Sequence, residues 1–394
     1  MRRIYLDYNA TTPLAGEVFE AMKPYLSGEF GNASSIHWYG QRAKAAVERA
    51  REQVAGLIGA RPNEIVFTSG GTEADNTAVF GVVEAAGGGK KHVNVISSSI
   101  EHHAVLNACK ALERRGVEIT YIPVGSDGVM DPEEVRRAIR PETVLISLMH
   151  ANNEIGTIQP IEQIGRIAAE CGARFHSDAV QSAGKLPLNV AALGADLLSL
   201  SGHKIYGPQG VGALYVRRGV RFAPRLYGGH HERDRRAGTE NVAGIVGLGK
   251  AAELAAASLA EETQHLSKLR DRLEAGILSR VPQVSVNGDA QRRLPSTTNL
   301  QFDYVEGEAF VIAMDLKGIA CSTGAACSSG TLEPSHVMAA LGKTSDQARS
   351  SIRFSLGRFN TTDDIDSTLE IIPGVVERLR SLSPRYKKSK SVAV

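Results

Sequence analysis

A single lysine stands where an apolar run gives way to a tight polar turn. Leu197-Leu-Ser-Leu200 ends in Ser201-Gly-His-Lys204, and Gly207-Pro208 leads into a second apolar run over 211–216. The pattern predicts strand, turn, strand. A lysine held at such a strand end is partly desolvated, which disfavours its ammonium form and leaves an amine nucleophile able to condense with a carbonyl. Taken alone, Lys204 reads equally as an ordinary loop lysine.

Three further stretches change that reading. Ser69-Gly-Gly-Thr72 lies between a short predicted strand and a predicted helix with Thr72 as N-cap. Glycines there let backbone amides close on an anion, and the helix N-terminus favours negative charge. No Gly-Lys-Ser/Thr follows, so it is not a Walker loop. Asp178 ends the run Phe175-His-Ser-Asp178 and suits either a protonated ring nitrogen or a helix cap. His102, in Ser99-Ile-Glu-His-His103, can stack on a ring, move protons or simply cap a helix. All four stretches fall at the carboxyl ends of predicted strands, where sheets of this kind bind ligands. Together they describe a pocket for one aromatic, phosphate-bearing cofactor.

The elements that would carry them alternate. Strands are expected at 93–96, 119–122, 144–149, 174–176, 197–200 and 211–216, and helices at 41–58, 103–115, 132–139 and 161–171, from apolar residues at steps of two or of three and four. Alternation implies a mainly parallel sheet covered on both faces. A charged, glycine-bearing loop spans 228–241, and an alanine-rich helical region over 241–280 reads as the link to a second domain. Residues 1–40 read as polar, mostly extended chain, and the basic stretch after Pro384 as a solvated tail.

Composition narrows the function classes. Lys and Arg number 45 against 43 Asp and Glu, a net charge of +2, so nothing recommends nucleic acid or an anionic membrane as partner. No run is expected to span a bilayer, and the first residues lack the pattern of a signal peptide. Four cysteines without a CxxC pair argue against disulfides or structural zinc and fit a reducing, cytoplasmic compartment.

Several longer motifs carry a resemblance. Tyr5-Leu-Asp-Tyr-Asn-Ala-Thr-Thr-Pro13, His150-Ala-Asn-Asn-Glu-Ile-Gly156, Asp178-Ala-Val-Gln181, Ser201-Gly-His-Lys204, Arg236-Ala-Gly-Thr-Glu-Asn241 and Ala326-Cys-Ser-Ser-Gly-Thr-Leu-Glu-Pro-Ser335 are similar, in order, to the pyridoxal-phosphate cysteine desulfurases of the NifS/IscS type. The resemblance covers residues 4 to about 380. It implies an α/β fold, the fold type I of pyridoxal-phosphate transferases (aspartate-aminotransferase-like), with a seven-stranded, mainly parallel sheet in a large domain over 15–257. A smaller α+β domain would combine 1–14 with 258–394. It implies conversion of L-cysteine to L-alanine, a persulfide on the enzyme, and sulfur donated to a sulfur acceptor or an iron–sulfur scaffold protein by a cytoplasmic homodimer. By position, Lys204 would bond the cofactor aldehyde, Asp178 the ring nitrogen and Gln181 the ring hydroxyl, with His102 stacked on the ring as a catalytic group. Gly71, Thr72, Ser201 and His203 would hold the phosphate, joined by Thr239 from a second protomer. Asn153 would touch cofactor and substrate, Arg353 the substrate carboxylate, and Cys327 would be the nucleophile. No resident metal is implied, although Cys327 is where an iron–sulfur cluster in transfer would be shared.

Two of these roles have support in the pattern itself. In Ser351-Ile-Arg-Phe-Ser-Leu356 the apolar residues alternate with Arg353, which aims the arginine off the packed face. Its planar fork suits a carboxylate, and a surface arginine is the plainer alternative. Among the cysteines, Cys109 and Cys171 continue apolar helical stripes and are expected to be buried and inert, and Cys321 ends an apolar run. Cys327 alone lies among small residues and glycines, on a segment expected to swing. The rivals are a selenocysteine lyase or aminotransferase of the same fold, a non-catalytic scaffold that keeps the cofactor, and a metal hydrolase using His102, His103, His230 and His231. The last lacks any HExxH spacing, and Gly207-Pro-Gln-Gly-Val-Gly212 misplaces the glycines of a dinucleotide fingerprint.

Overall fold

The computed structural model describes residues 3–87, 92–324 and 334–386. Its centre is a seven-stranded sheet. In chain order the strands are β2 (Ile65–Thr68), β3 (Asn94–Ser98), β4 (Glu118–Ile122), β5 (Thr143–Ser147), β6 (Arg174–Asp178), β7 (Leu197–Ser201) and β8 (Gly212–Val216), after a short β1 (Ile4–Tyr5) that lies elsewhere. Their order across the sheet is β2-β8-β7-β6-β5-β3-β4. Only β8 runs against its neighbours; the contacts among β3 to β7 are parallel. The expected fold class is therefore correct.

Parallel strands need crossovers, and helices supply them: α3 (Gly71–Ala85), α4 (His103–Glu113), α5 (Pro132–Ala138) and α6 (Ile161–Cys171), after α1 (Gly16–Leu26) and α2 (Trp38–Ile58). With both faces covered, the strands bury nearly every residue, and Phe175 and Leu198 are wholly inaccessible. Each such side chain is worth about 1.5–3 kcal/mol.

One helix then leaves this core for another. α7 (Val242–Arg280) is 39 residues long. Ala243 to Ala255 face the core of the large sheet, whereas Leu266, Leu269, Leu273 and Ile277 join a separate cluster. By length and composition α7 is the one described helix apolar enough to cross a bilayer, with mean hydropathy 1.4 over its best window and half of that window buried. A core helix buried between neighbours passes the same test, and α7 is packed against α1 and α2. Valine, isoleucine, leucine and alanine give the hydropathy, and alanine and glycine let α1 and α2 pack closely along the helix: a β-carbon at Gly249 would meet the Ala50 Cα at 2.6 Å.

The second cluster belongs to β9 (Val284–Val286), β10 (Thr297–Phe302), α8 (Gly307–Leu316), β11 (Ile319–Ala320), α9 (His336–Ala340), α10 (Ser345–Arg349), β12 (Ser351–Ser355) and α11 (Thr362–Leu382). β12, β10 and β9 form an antiparallel sheet, and β1 pairs with β11. The N-terminal chain thus begins in this second body. It then runs through residues 7–12 to the ends of β7 and β12, where Thr12 N donates to His203 O at 3.0 Å and Asn9 N to Ser355 Oγ at 2.9 Å.

Candidate active site

The carboxyl ends of β2, β3, β5, β6 and β7 point the same way, and the turns beyond them line one cavity of about 300 Å³. Gly71, Thr72, His102, Asn153, Asp178, Gln181, Ser201, His203, Lys204 and Arg353 all face it. Asn9, Asp75, Met149 and Gly324 complete the wall. Residues far apart in sequence meet here because parallel crossovers deliver every strand end to one edge of the sheet.

Lys204 closes a one-turn 3-10 segment (Gly202–Lys204) directly after β7. Its Nζ donates to the carbonyls of Asn9 and Ala10 at 2.6 and 2.7 Å, so the N-terminal segment sets its direction. Two residues on, Tyr206 has φ +64°. That left-handed conformation costs a non-glycine residue on the order of 1–3 kcal/mol. Hydrogen bonds hold it there: its N donates to Thr12 Oγ1 at 2.8 Å, and its hydroxyl accepts from Arg358 N at 2.7 Å.

The floor of the cavity is acidic and dry. Asp178 ends β6 with 6 % exposure and accepts from Val180 N at 2.8 Å. Burial pushes its carboxyl up to about 6, opposed by that amide and by the Lys204 charge. Beside it Asp75 is held well above the carboxylate range by burial first and then by Asp178. Two buried carboxylates resist ionising together, and a cation placed against Asp178 would relieve both. Glu101 is likewise buried and pushed up to about 8, while accepting from Met149 N and Ser98 Oγ at 2.9 and 2.7 Å.

The two histidines of the wall are held in their neutral form. His102 is the N-cap of α4, its Nδ1 accepting from Ala104 N at 3.2 Å, which places the ring proton on Nε2. Burial, then Lys204, His103 and His336, push its pKa down to about 4. His102 is therefore both helix cap and cavity wall. His203, pushed down to about 4 by burial and then by the charges of Lys204 and Lys185, shares a hydrogen bond with Thr11 Oγ1 at 3.1 Å.

Next to this cavity a second, of about 390 Å³, opens between the start of α3 and the β7 turn, lined by Ser69, Gly70, Gly71, Thr72, Ser201, His203 and Gly210 among others. The cap of α3 is Gly70 rather than the expected Thr72, which sits one residue inside the helix. Gly70, at φ +154°, has no side chain with which to cap the first amides, so they remain available to a ligand. Glu73 turns back to accept from Ser69 N at 2.8 Å and pairs with Arg236 at 2.8 Å. A β-carbon at Gly71 would meet Val180 Cγ2 at 2.8 Å, so even alanine there requires Val180 to move.

Arg353 enters from β12. It is 2 % exposed and not the surface arginine that its edge strand also allowed. One amino group donates to Asp7 Oδ1 at 2.6 Å and the other to Asn153 O at 3.0 Å, while its Nε has no hydrogen-bond partner among the described residues. Asn153 gives its carbonyl to Arg353 and to Asn9 Nδ2, and its side chain faces the cavity.

Two expected residues are not in this wall. Thr239 is exposed on the loop after Glu232 and lines neither cavity of its own chain. That loop is pinned by a buried pair in which Arg51 reaches both Glu232 oxygens at 2.8 Å. Residue 327 lies outside the described residues. Of the other cysteines, Cys109 and Cys321 are buried and their thiols are pushed up by burial, the former to about 12. Cys171 is exposed, contrary to expectation. It sits on the apolar stripe of α6, but the helix ends there and Gly172 turns the chain away at φ +75°. The four histidines offered as a metal site do not converge: among the described residues no three His, Cys, Asp or Glu side chains could share an ion.

Reading the sequence for chemistry overlooked Asn9 and Lys185. Asn9 ties the N-terminal segment to Asn153, Gln181, Lys185, Lys204, Thr297 and Ser355. Lys185 is buried, and burial together with the Lys204 charge pushes it down to about 7. The available signal was its place four residues after Gln181, in a short segment joining two predicted strands.

These residues fit pyridoxal phosphate. The buried, cation-seeking Asp178 suits a ring nitrogen, the neutral His102 a ring face, and the uncapped start of α3 with Ser201 and His203 a phosphate. Residues 4–368 match the sequence model of the family aminotransferase class-V. The chain is 51% identical over 387 residues to a protein of Dictyoglomus turgidum named cysteine desulfurase IscS, covering 98% of each. Among solved structures it resembles a NifS-like protein (TM-score 0.89, 37% identity, 96% of this chain and 99% of that one). It also resembles SspA in complex with cysteine (TM-score 0.80, 39% identity, 91% of this chain and 100% of that one).

Proposed function

Because the chain belongs to the class-V aminotransferase family, and is a pyridoxal-phosphate-dependent cysteine desulfurase within it, we propose the following division of labour among its residues. The observation that carries it is the convergence of Lys204, Asp178, His102 and Arg353 on one cavity. Lys204 holds the cofactor aldehyde covalently, Asp178 the ring nitrogen and Gln181 the ring hydroxyl, and His102 lies on the ring. Gly71, Thr72, Ser201 and His203 hold the phosphate. When bound, the cofactor supplies a sink for the electrons left at the substrate α-carbon.

Arg353 and Asn153 would bind the cysteine carboxylate and aim its α-hydrogen at Lys204 Nζ, which would accept and carry that proton. The Cys327 thiolate attacks the substrate sulfur: L-cysteine and the enzyme thiol become L-alanine and a Cys327 persulfide, with one carbon–sulfur bond broken and one sulfur–sulfur bond formed. The persulfide then passes to an acceptor protein, an iron–sulfur scaffold among them, in the cytoplasm. SspA in complex with cysteine supports cysteine as substrate.

The active unit in this reading is a homodimer in which the partner subunit's Thr239 reaches the phosphate. Thr239 stands exposed, away from its own cavity, and Phe19, Leu26, Phe30, Ile36 and Trp38, within one 20-residue stretch, leave apolar surface uncovered. Residues 15–257 form the large domain and 1–14 with 258–394 the small one; the two clusters that divide α7 between them support this.

The test is a visible absorption spectrum of the purified protein with L-cysteine titrated in, together with assays of alanine and sulfane sulfur. A cofactor band that changes on adding cysteine, with the two products in equal amounts, is expected; a protein that releases no alanine refutes the reading. Arg353→Lys keeps the charge beside Asp7 but loses the fork. It should raise KM for cysteine about 10- to 100-fold, the worth of one or two charge-assisted hydrogen bonds, with a smaller change in kcat.

A further inference from the structure

The side-chain amide of Gln181 is nearly symmetric in shape, so its neighbours decide which end faces which way. On one side stands Asn9 O, which can only accept, at 3.0 Å from Gln181 Nε2. On the other stands Lys185 Nζ, 3.1 Å from Gln181 Oε1. The same Nζ donates to Asn9 Oδ1 at 3.2 Å, leaving Asn9 Nδ2 to donate to Thr297 Oγ1 and Asn153 O at 2.9 and 3.1 Å. In its charged form Lys185 has only donors and no lone pair. Turning either amide over would set donor against donor at Lys185, and for Gln181 acceptor against acceptor at Asn9 as well. Lys185 does not line the main cavity, although Gln181 and Asn9 do.

We infer that Lys185 is a positioning residue: it fixes the Gln181 and Asn9 amides so that the NH2 of Gln181 faces Asn9 O and the cofactor cavity. The assignment rests on the reading above, in which Gln181 meets the ring hydroxyl. It adds that Gln181 meets it as a donor, and that a lysine outside the cavity makes it so. Asn9 O also accepts from Lys204 Nζ, so the arrangement couples the ring-hydroxyl contact to the cofactor's lysine through a single residue.

A donor to the ring oxygen disperses its negative charge, so losing the donor makes the oxygen hold a proton more tightly. In the holoenzyme, Lys185→Met should therefore move the pH transition of the cofactor absorption upward by about one unit, a tenfold change in the equilibrium. Gln181→Leu should move it as far, and the double variant no further than Gln181→Leu alone. A Lys185→Met shift of the same size in both backgrounds would mean that the lysine acts by its charge, and would overturn the inference. Gln181→Glu covers the case in which Lys185→Met does not fold: it keeps a partner for Lys185 but has no NH2, and must also shift the transition upward. An unmoved transition in Gln181→Glu rejects the proposal. The apoprotein gives a readout without the cofactor. The Gln181 side-chain amide resonance, identified by its loss in Gln181→Leu, should move in Lys185→Met, and one that stays in place is equally fatal. A wild-type protein with no visible band refutes the cofactor reading alone, because the amide resonances still judge Lys185.

Discussion

Lys204→Ala should lower turnover of L-cysteine by at least about four orders of magnitude while the protein still folds. A positioned base is by itself worth about 10²–10⁴, and Lys204 is also the covalent anchor. It is the one lysine that lines the cavity among the described residues. Lys185, its buried neighbour, reaches Asn9 from the other side and points at amides instead. Truncation deletes two hydrogen bonds to backbone carbonyls, a loss of about 1–3 kcal/mol, and Asn9 O keeps its bond from Gln181. The variant should keep its far-UV circular dichroism and lose the resting visible band. Alanine release at wild-type rate would hand the role to another lysine.

Cys327→Ala should leave cofactor binding and the spectral response to cysteine in place while alanine and sulfane sulfur formation fall below about one per cent. Lys204, Asp178 and Arg353 are untouched by the change, whereas the attacking thiolate is gone. Residue 327 is three residues from Gly324, which lines the cavity and gives its carbonyl to Arg353 at 3.4 Å, and three residues span at most about 11 Å. The chain re-enters the described residues next to the site, where Ser335 Oγ donates to the buried Glu154 at 2.6 Å. Cys321→Ala, at a buried thiol that burial holds in its neutral form, should cost far less. Peptide mapping after exposure to cysteine should find the added sulfur on Cys327. Near wild-type desulfuration by Cys327→Ala would replace the persulfide route with direct elimination.

What could be read from the chain beforehand was local or periodic. The turn at Lys204 is announced by glycine and proline within a dozen residues, and alternation of strand and helix is enough to bring Ser69, His102, Asp178 and Lys204 to one sheet edge. Alternation along β12 fixed the face of Arg353, though not its burial, which depends on Asp7 and Asn153 arriving from elsewhere. The cap of α3 falls at Gly70, which packs so closely on Gly212 of β8 that a β-carbon at Gly212 would meet Gly70 Cα at 2.7 Å, a contact between distant segments that local sequence does not contain. Asn9 and Lys185 stayed unread for the same reason. Asn9 meets Gln181 across 172 residues and Lys185 meets Asn9 across 176, so although Gln181 and Lys185 share a window, no window of sequence holds all three.

That distance bears on how the enzyme is made. Asn9 leaves the ribosome well before Ser355, 346 positions later, whose hydroxyl accepts from its amide N. At about 5–20 residues per second, roughly 20–70 s separate their synthesis. Until β12 emerges, the N-terminal segment lacks its clamp against Ser355, and its bonds to Gln181, Lys185 and His203 hold the two carbonyls that aim Lys204. The large sheet can form meanwhile from neighbouring crossovers, but loop closure between Asn9 and β12 comes later. A nascent chain therefore owns a folded sheet and a lysine held by part of its final network, and the aim of that lysine is completed only when β12 has docked.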